Sequence, residues 1–269
     1  MTIQMKQFTP GKGAIYYFSG TGNTAFVACE FQDNYKKKGI SIDLFRIEKI
    51  ETVTSQGKYD FLMIGFPTYY FYPPQMVIDF VKKLPEVKDK PVILFATGGA
   101  SAGASFNVLE RILRKKKYQV ISNFLYIMPS NDGFLFNKDT DKEEHADLKI
   151  SGTKEKIKQD FELITSGKSK FKSANIFISL ISEIAKFGMN KKNKWFWDKK
   201  ECNFCGLCAK VCPTKNITIK KEKGKVIFGN NCMFCSRCYN FCPKKAIHYK
   251  SINKTKNFKR YDRLKDEIL

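Results

Sequence analysis

The first half of the chain alternates short apolar runs with segments of helical periodicity. The apolar runs are AIYYF (14–18), SIDLF (41–45), YDFLMIGF (59–66), KPVILFAT (90–97) and VISNFLYIM (120–128). Helical patterns at 22–38, 74–83 and 104–116 lie between them. Alternating strands and helices build a parallel sheet covered on both faces, and such buried strands are continuously apolar. The pattern predicts an α/β fold with a five-stranded, doubly wound parallel sheet, in which ligands bind beyond the carboxyl ends of the strands.

The middle of the chain is also predicted to be helical. Residues 138–165 are charged, and an apolar stripe at helical spacing follows in a segment that ends at Gly188. The stripe consists of Ile176, Phe177, Leu180, Ile181 and Ile184. It indicates either a helix that packs on a neighbouring domain or peripheral membrane contact through residues 173–188. No stretch reaches the roughly 18 apolar residues of a membrane span, so no transmembrane segment is expected.

The last part of the chain contains an internal repeat with an offset of 30 residues. Each copy has the spacing C-x2-C-x2-C-x3-C-P, at 202–213 and again at 232–243. At this spacing three thiolates wrap one iron-sulfur cluster while the fourth reaches across to the other. The pattern predicts two [4Fe-4S] clusters, one bound by Cys202, Cys205, Cys208 and Cys242, the other by Cys232, Cys235, Cys238 and Cys212. Structural zinc is the alternative, but zinc sites usually pair short knuckles across a longer gap.

A second motif follows the first predicted strand and opens the first predicted helix. It consists of Ser19, Gly20, Thr21, Gly22, Asn23 and Thr24. Hydroxyl groups and backbone N–H groups at a helix N-terminus surround a phosphate, and the helix dipole favours the anion there. The loop lacks the lysine of a Walker A motif. It resembles the phosphate loop with which flavodoxins bind FMN, whereas a plain Gly/Ser/Thr turn is the alternative.

Two further loops follow the third and fourth predicted strands, where a flavin ring would lie. The first contains Pro67, Thr68, Tyr69 and Tyr70, and the second contains Thr97, Gly98, Gly99, Ala100 and Ser101. Aromatic side chains in the first loop could stack on the ring or simply pack, and the second loop offers backbone donors at close approach. Residues 128–132 are a weaker candidate for the rim of the flavin site.

Charge and cysteine usage narrow the setting of the protein. Eight of nine cysteines crowd into the repeat, as metal ligands do in a reducing compartment, so a cytoplasmic location is expected. The formal net charge of +22 fits a solvated lysine-rich surface, an acidic redox partner, or nucleic acid or anionic lipid. Nucleic acid is not expected because arginines are few. Cys29, His145 and His248 are interpreted as packing or surface residues.

The order of the motifs resembles the fusions of flavodoxin and ferredoxin that are called ferrodoxins. The expected domains are a flavodoxin-like FMN domain (1–168), a helical linker (169–198) and a small α+β dicluster ferredoxin-like domain with a C-terminal tail (199–269). The resemblance implies electron transfer between FMN and two [4Fe-4S] clusters, with redox proteins as partners. An electron carrier is favoured over two alternatives. These are a flavin-dependent reductase of a small molecule or quinone, and a nucleic-acid-binding protein stapled by clusters.

The sequence predicts the cofactor content directly. Protein purified without oxygen should contain about eight iron atoms, about eight acid-labile sulfides and one FMN per chain, because eight cysteines and one phosphate loop are present. Iron, sulfide and flavin analysis of one sample measures all three. Stoichiometric zinc without sulfide would refute the cluster prediction.

Overall fold

The structure is a computed structural model that describes residues 11–50, 58–131, 143–168, 170–173 and 195–249. The apolar stripe at 176–184 and the end of the chain after 249 lie outside these residues. In the described part, no helix has both the length and the apolar character needed to cross a membrane.

The first domain is a five-stranded parallel sheet with helices on both faces. Its strands are β1 (Gly13–Tyr17), β2 (Ile42–Arg46), β3 (Phe61–Pro67), β4 (Lys90–Gly98) and β5 (Tyr118–Ile127). Its helices are α1 (Asn23–Lys37), α2 (Gln75–Lys83), α3 (Ser105–Lys115) and α4 (Glu143–Thr165). The strand order β2-β1-β3-β4-β5 confirms the predicted flavodoxin-like sheet.

Successive strand residues point to opposite faces, so each strand contributes to two apolar cores. Tyr16 and Leu62 belong to the core on the side of α2 and α3. Ile15 and Met63 belong to the core on the side of α1 and α4. This double burial explains why the strands read as continuous apolar runs rather than as alternating ones.

The free edge of β5 is covered by a short segment of the chain. The N–H of Asn123 donates to the carbonyl of Lys170 (2.9 Å), and the Asn123 side chain both donates to and accepts from the backbone of Lys172. Residues 170–172 therefore pack on the first domain, two to four residues beyond its predicted end at 168. The domain bounds as a whole stay a prediction.

The second domain repeats one small unit twice. Its strands are β6 (Trp195–Trp197), β7 (Ile217–Lys220), β8 (Lys225–Phe228) and β9 (Ile247–Tyr249), and its helices are α5 (Leu207–Lys210) and α6 (Arg237–Asn240). Antiparallel pairs join β6 to β9 and β7 to β8. Because β6 pairs with β9, residues 195–197 belong to this domain, although the sequence placed them in the linker.

Backbone conformation shows the same repeat as the sequence. Positive φ angles occur at Phe204 and again 30 residues later at Phe234, and at Lys215 and again at Lys245. Gly206 and Ser236, which precede the two short helices, form a third pair. The two cysteine motifs therefore adopt the same fold, and differences between them come from their side chains.

Candidate functional site

The predicted phosphate loop lies between β1 and α1, at the carboxyl edge of the sheet. Gly22 is the N-cap residue that precedes α1, and it has a φ of 109°, which a residue with a side chain rarely adopts. No side chain caps α1 and its first turn contains no acidic residue. The positive end of the helix dipole is therefore available for an anion, and the residues of the loop fit a phosphate group.

The structure brings the two predicted flavin loops to this phosphate loop. The hydroxyl groups of Thr24 and Thr97 lie 2.8 Å apart. The N–H of Thr68 donates to the carbonyl of Thr97 (2.8 Å), which joins the loops after β3 and β4. From the weaker rim candidate, the Asn131 amide donates to the Thr21 hydroxyl. The predicted residues in these segments thus converge at one edge of the sheet, and their role in binding stays a proposal.

The loop after β3 ends in a tight turn with two aromatic residues at its tip. Tyr69 and Tyr72 exchange backbone hydrogen bonds of 2.9 and 3.1 Å. Tyr70 and Phe71 between them both have positive φ, as a type I′ turn requires. Bulky residues adopt this conformation at a cost of about 1–3 kcal/mol each, and such strain is concentrated at functional sites. Phe71, which belongs to the same aromatic run as Tyr69 and Tyr70, is 47% exposed.

The eight cysteines of the repeat form two groups whose members come from both motifs. The first cysteine group consists of Cys202, Cys205, Cys208 and Cys242, which line one cavity. The pKa of Cys208 is raised to about 11, first by burial and further by the three neighbouring thiols. Among the described residues, no group of three or more His, Cys, Asp or Glu side chains has the spacing needed to hold a single metal ion.

The second cysteine group consists of Cys212, Cys232, Cys235 and Cys238. Burial raises the pKa of Cys238 well above its usual value; the other three thiols of the group raise it further, as does Cys208 of the first group. The pKa of Cys235 is raised to about 12 by burial, although the Arg237 charge and N–H lower it. Both groups match the predicted crossed sets, in which one thiol of each motif joins the other motif.

Backbone N–H groups point at sulfur atoms in both groups. The N–H of Asn216 donates to Cys212 Sγ (3.2 Å), and the N–H of Ala246 donates to Cys242 Sγ (3.3 Å). These two bonds are related by the 30-residue repeat. Donors of this kind stabilise negative charge on sulfur and fit thiolate ligands of an iron-sulfur cluster.

The two cysteine groups differ in their surroundings. Cys205 of the first group is exposed, whereas Cys235 of the second group is buried against the first domain. A Cβ atom placed on Gly20 would lie 3.0 Å from the carbonyl oxygen of Cys235. The neighbouring Phe234 packs edge-on against Tyr70 at 6.2 Å between ring centroids. The second cysteine group therefore contacts both the phosphate loop and the aromatic turn.

Arg237 is the main polar connection between the domains, and the sequence analysis missed it. It is 3% exposed and donates from Nε to the Gly20 carbonyl (2.8 Å) and from Nη2 to the Ser19 carbonyl. It also donates to the Val211 carbonyl (3.1 Å) and pairs with Glu48 (2.7 Å), a side chain that is 8% exposed. Its position in the repeat corresponds to Leu207. This replacement of an apolar residue by a charged one was the signal in the sequence that could have identified Arg237.

The remaining predicted or noted residues have structural surroundings. His248 is buried and stacks on Phe196 at 5.5 Å, and His145 is exposed on α4. Cys29 is half-buried on α1, away from both cysteine groups along the chain. Val211 and Phe241, which correspond to each other in the repeat, join the core on the α1 side of the sheet.

A cavity of about 580 Å³ opens between the two domains. The first domain contributes Tyr69, Tyr72 and Met76 to its lining, and the second contributes Cys232 and Phe234. Its lining combines aromatic faces with polar side chains beside the second cysteine group. A small molecule in this cavity would lie next to that group.

Replacing Arg237 tests how strongly the two domains are joined. Arg237→Leu restores the residue type of Leu207. It should destabilise the interface by about 1–3 kcal/mol, because the buried carbonyls of Ser19 and Gly20 lose their donor. Glu48 loses one of two arginine partners and keeps Arg46. Denaturation is followed by tryptophan fluorescence, which reports on Trp195 and Trp197 in the second domain, and by circular dichroism, which reports mainly on the first. The tryptophan transition should precede the other in the variant.

The matched control is Arg114→Leu. Arg114 pairs with Glu110 on the surface of α3 with its side chain 79% exposed, so its loss should cost less than about 1 kcal/mol. Coincident transitions with an unchanged midpoint in Arg237→Leu would contradict the assigned role.

Comparison with known proteins agrees with this architecture. A family model described as "Flavodoxin domain" matches residues 14–124, and one described as "4Fe-4S dicluster domain" matches residues 201–247. No curated protein matches the chain.

Three solved structures illustrate the similarity. Flavodoxin 2 from Bacillus cereus is 18% identical with a TM-score of 0.41, covering 56% of this chain and 99% of its own. The flavodoxin of Streptococcus pneumonia TIGR4 is 17% identical with a TM-score of 0.39 over 56% and 99%. Rubredoxin oxygen:oxidoreductase from the anaerobe Desulfovibrio gigas is 14% identical with a TM-score of 0.37 over 58% and 37%. The chain therefore joins a flavodoxin domain at residues 14–124 to a 4Fe-4S dicluster domain at residues 201–247.

Proposed function

We propose that this protein is an electron-transfer iron-sulfur flavoprotein that passes electrons between two [4Fe-4S] clusters and FMN. The observation that carries the proposal is the contact between the second cysteine group and the phosphate loop. Cys235 packs on Gly20, and Arg237, two residues further on, bonds to the same loop. A cluster ligand and the proposed flavin site thus share one buried interface.

The phosphate loop and the two neighbouring loops are the proposed FMN site. The first-turn N–H groups of α1 and the hydroxyls of Ser19 and Thr21 would hold the phosphate, as the uncapped helix end favours. Tyr70 and Phe71 at the strained turn would wall the flavin ring. When bound, FMN supplies one-electron and two-electron redox chemistry.

The two cysteine groups are the proposed ligands of two [4Fe-4S] clusters. The first group has the exposed Cys205 and suits exchange with an outside partner, whereas Cys235 of the second group is buried at the interface. The charge and the N–H of Arg237 lower the pKa of Cys235, against the larger effect of burial, which raises it. Arg237 therefore favours negative charge on this sulfur. Its charge would therefore help the second group to retain an electron, and Glu48 offsets part of this effect. The arrangement supports a path from the first group to the second and then to the flavin.

Removing one ligand of the first group tests this path. Cys205→Ser should slow flavin reduction by a low-potential one-electron protein donor by orders of magnitude, because Cys205 belongs to the exposed group. FMN content should be unchanged, since the phosphate loop lies in the other domain. Stopped-flow absorption follows clusters and flavin separately, and iron analysis confirms the loss of one cluster.

Cys29→Ser is the matched control, because Cys29 lies outside both groups. It should behave as the wild type. If Cys205→Ser lacks one cluster and still reduces its flavin at the wild-type rate, that cluster is not on the route.

A second candidate function is favoured by the interdomain cavity. Its volume of about 580 Å³ suits a small molecule or quinone, and Tyr69, Tyr72 and Cys232 line it. The protein would then be a reductase fed through the clusters. Saturable turnover with quinone acceptors that is lost in Met76→Trp, which narrows the cavity, would favour this function over electron carriage.

A further inference from the structure

The exposed side of the first cysteine group opens onto a groove that is rich in lysine. The groove has a volume of about 580 Å³ and is lined by Cys205, Gly206, Ile219 and residues 220–223. Those last four residues are Lys220, Lys221, Glu222 and Lys223, and all are exposed. Three positive charges and one negative charge therefore surround the exposed cysteine.

The fold holds these lysines in place beside Cys205. Residues Lys221–Lys223 form a 3-10 turn between β7 and β8, and Gly224 closes it with a φ of 52°. Ile219, which precedes Lys220 on β7, lines both this groove and the cavity of the first cysteine group. The lysines are thus fixed on a short hairpin that packs directly on that group.

Two more lysines extend the positive surface. The Lys199 side chain lies 4.0 Å from the position of a Cβ on Gly224, at the tip of the hairpin. Lys244 lines the cavity of the first cysteine group. The second cysteine group offers no comparable surface at Cys235, which is buried against the phosphate loop. The exposed Cys205 therefore favours the approach of a large redox partner to the first group.

We propose that this lysine groove is the docking surface for an acidic one-electron redox protein. The proposal rests on the proposed function and names the partner chemistry at its entry point. Positive charge around an exposed redox centre attracts an acidic protein and raises the association rate by about 10- to 1,000-fold at low salt. The net charge of +22 acts in the same direction over longer distances.

The residues of the groove favour a protein over nucleic acid or a lipid surface. Its positive charges are all lysines, which act as point charges rather than as bidentate phosphate ligands. The groove-lining residues include no aromatic side chain on which a base could stack. Electron transfer from the partner oxidises it by one electron and reduces the first cluster by one, with no bond made or broken.

Charge reversal in the groove tests the proposal on the complete, anaerobically loaded protein. The probe is a reduced dicluster ferredoxin of strongly negative net charge, and cluster bleaching is followed by stopped flow at low ionic strength. Lys221→Glu combined with Lys223→Glu should lower the second-order rate at least about tenfold, and added salt should narrow the difference from wild type. Titration calorimetry with the oxidised probe should show a parallel loss of affinity.

The matched control is Lys36→Glu combined with Lys37→Glu. These exposed lysines end α1, so they lie at the edge of the sheet opposite the loops that follow the strands, and the change in net charge is the same. The control should lose less than about threefold in rate. Equal losses in both variants would mean that only net charge matters and would overturn the docking site.

Two further measurements complete the test. If the groove variant keeps its rate with the acidic protein but loses binding to phosphatidylserine vesicles or to a single-stranded oligonucleotide, the groove serves that other ligand and the proposal is wrong. Reduction by dithionite should be unaffected by either variant.

Docking is measured on the clusters and not on the flavin. Clusters that are reduced by the protein donor while the flavin stays oxidised would therefore refute the proposed function and leave the docking result standing.

Discussion

The buried guanidinium of Arg237 is the interaction on which the arrangement of the two domains depends. Arg237 lies between Cys235 and Cys238 of the second group in the sequence. Its side chain donates to two carbonyls of the phosphate loop and pairs with Glu48. Its face also lies 5.3 Å from the ring centroid of Phe18. A buried charge is tolerated only when its donors are satisfied, so the interface has one geometry that satisfies Arg237. Asn240, one helical turn later, adds a bond of 3.1 Å to the Asn131 carbonyl.

This one residue also makes a symmetric repeat asymmetric. The two cysteine motifs share backbone conformation and N–H···S bonds, yet Leu207 in the first corresponds to Arg237 in the second. The second group is thereby tied to the flavodoxin domain, while the first remains open beside a lysine-rich hairpin. A difference in exposure of this kind gives the proposed electron path an outer and an inner end.

Sequence patterns were sufficient for features that depend on local chemistry. Apolar runs predicted the parallel sheet because its strands are buried on both faces, and cysteine spacing predicted which thiols lie together. The domain interface could not be predicted, because the partners of Arg237 in the first domain lie 189 to 218 residues away along the chain. The loop containing Tyr70 was predicted, but the strained turn that it forms with Phe71 could not be, because positive φ angles are usually adopted by Asn and Gly.

The most direct test is anomalous diffraction at the iron absorption edge from crystals grown without oxygen. The account predicts two separate four-iron groups, of which the one nearer Gly20 is bound by Cys212, Cys232, Cys235 and Cys238. It further predicts that the other four-iron group is bound by Cys202, Cys205, Cys208 and Cys242. The account would be contradicted if the four-iron group nearer Gly20 were bound by all four cysteines of a single motif, or if no iron lay near the phosphate loop.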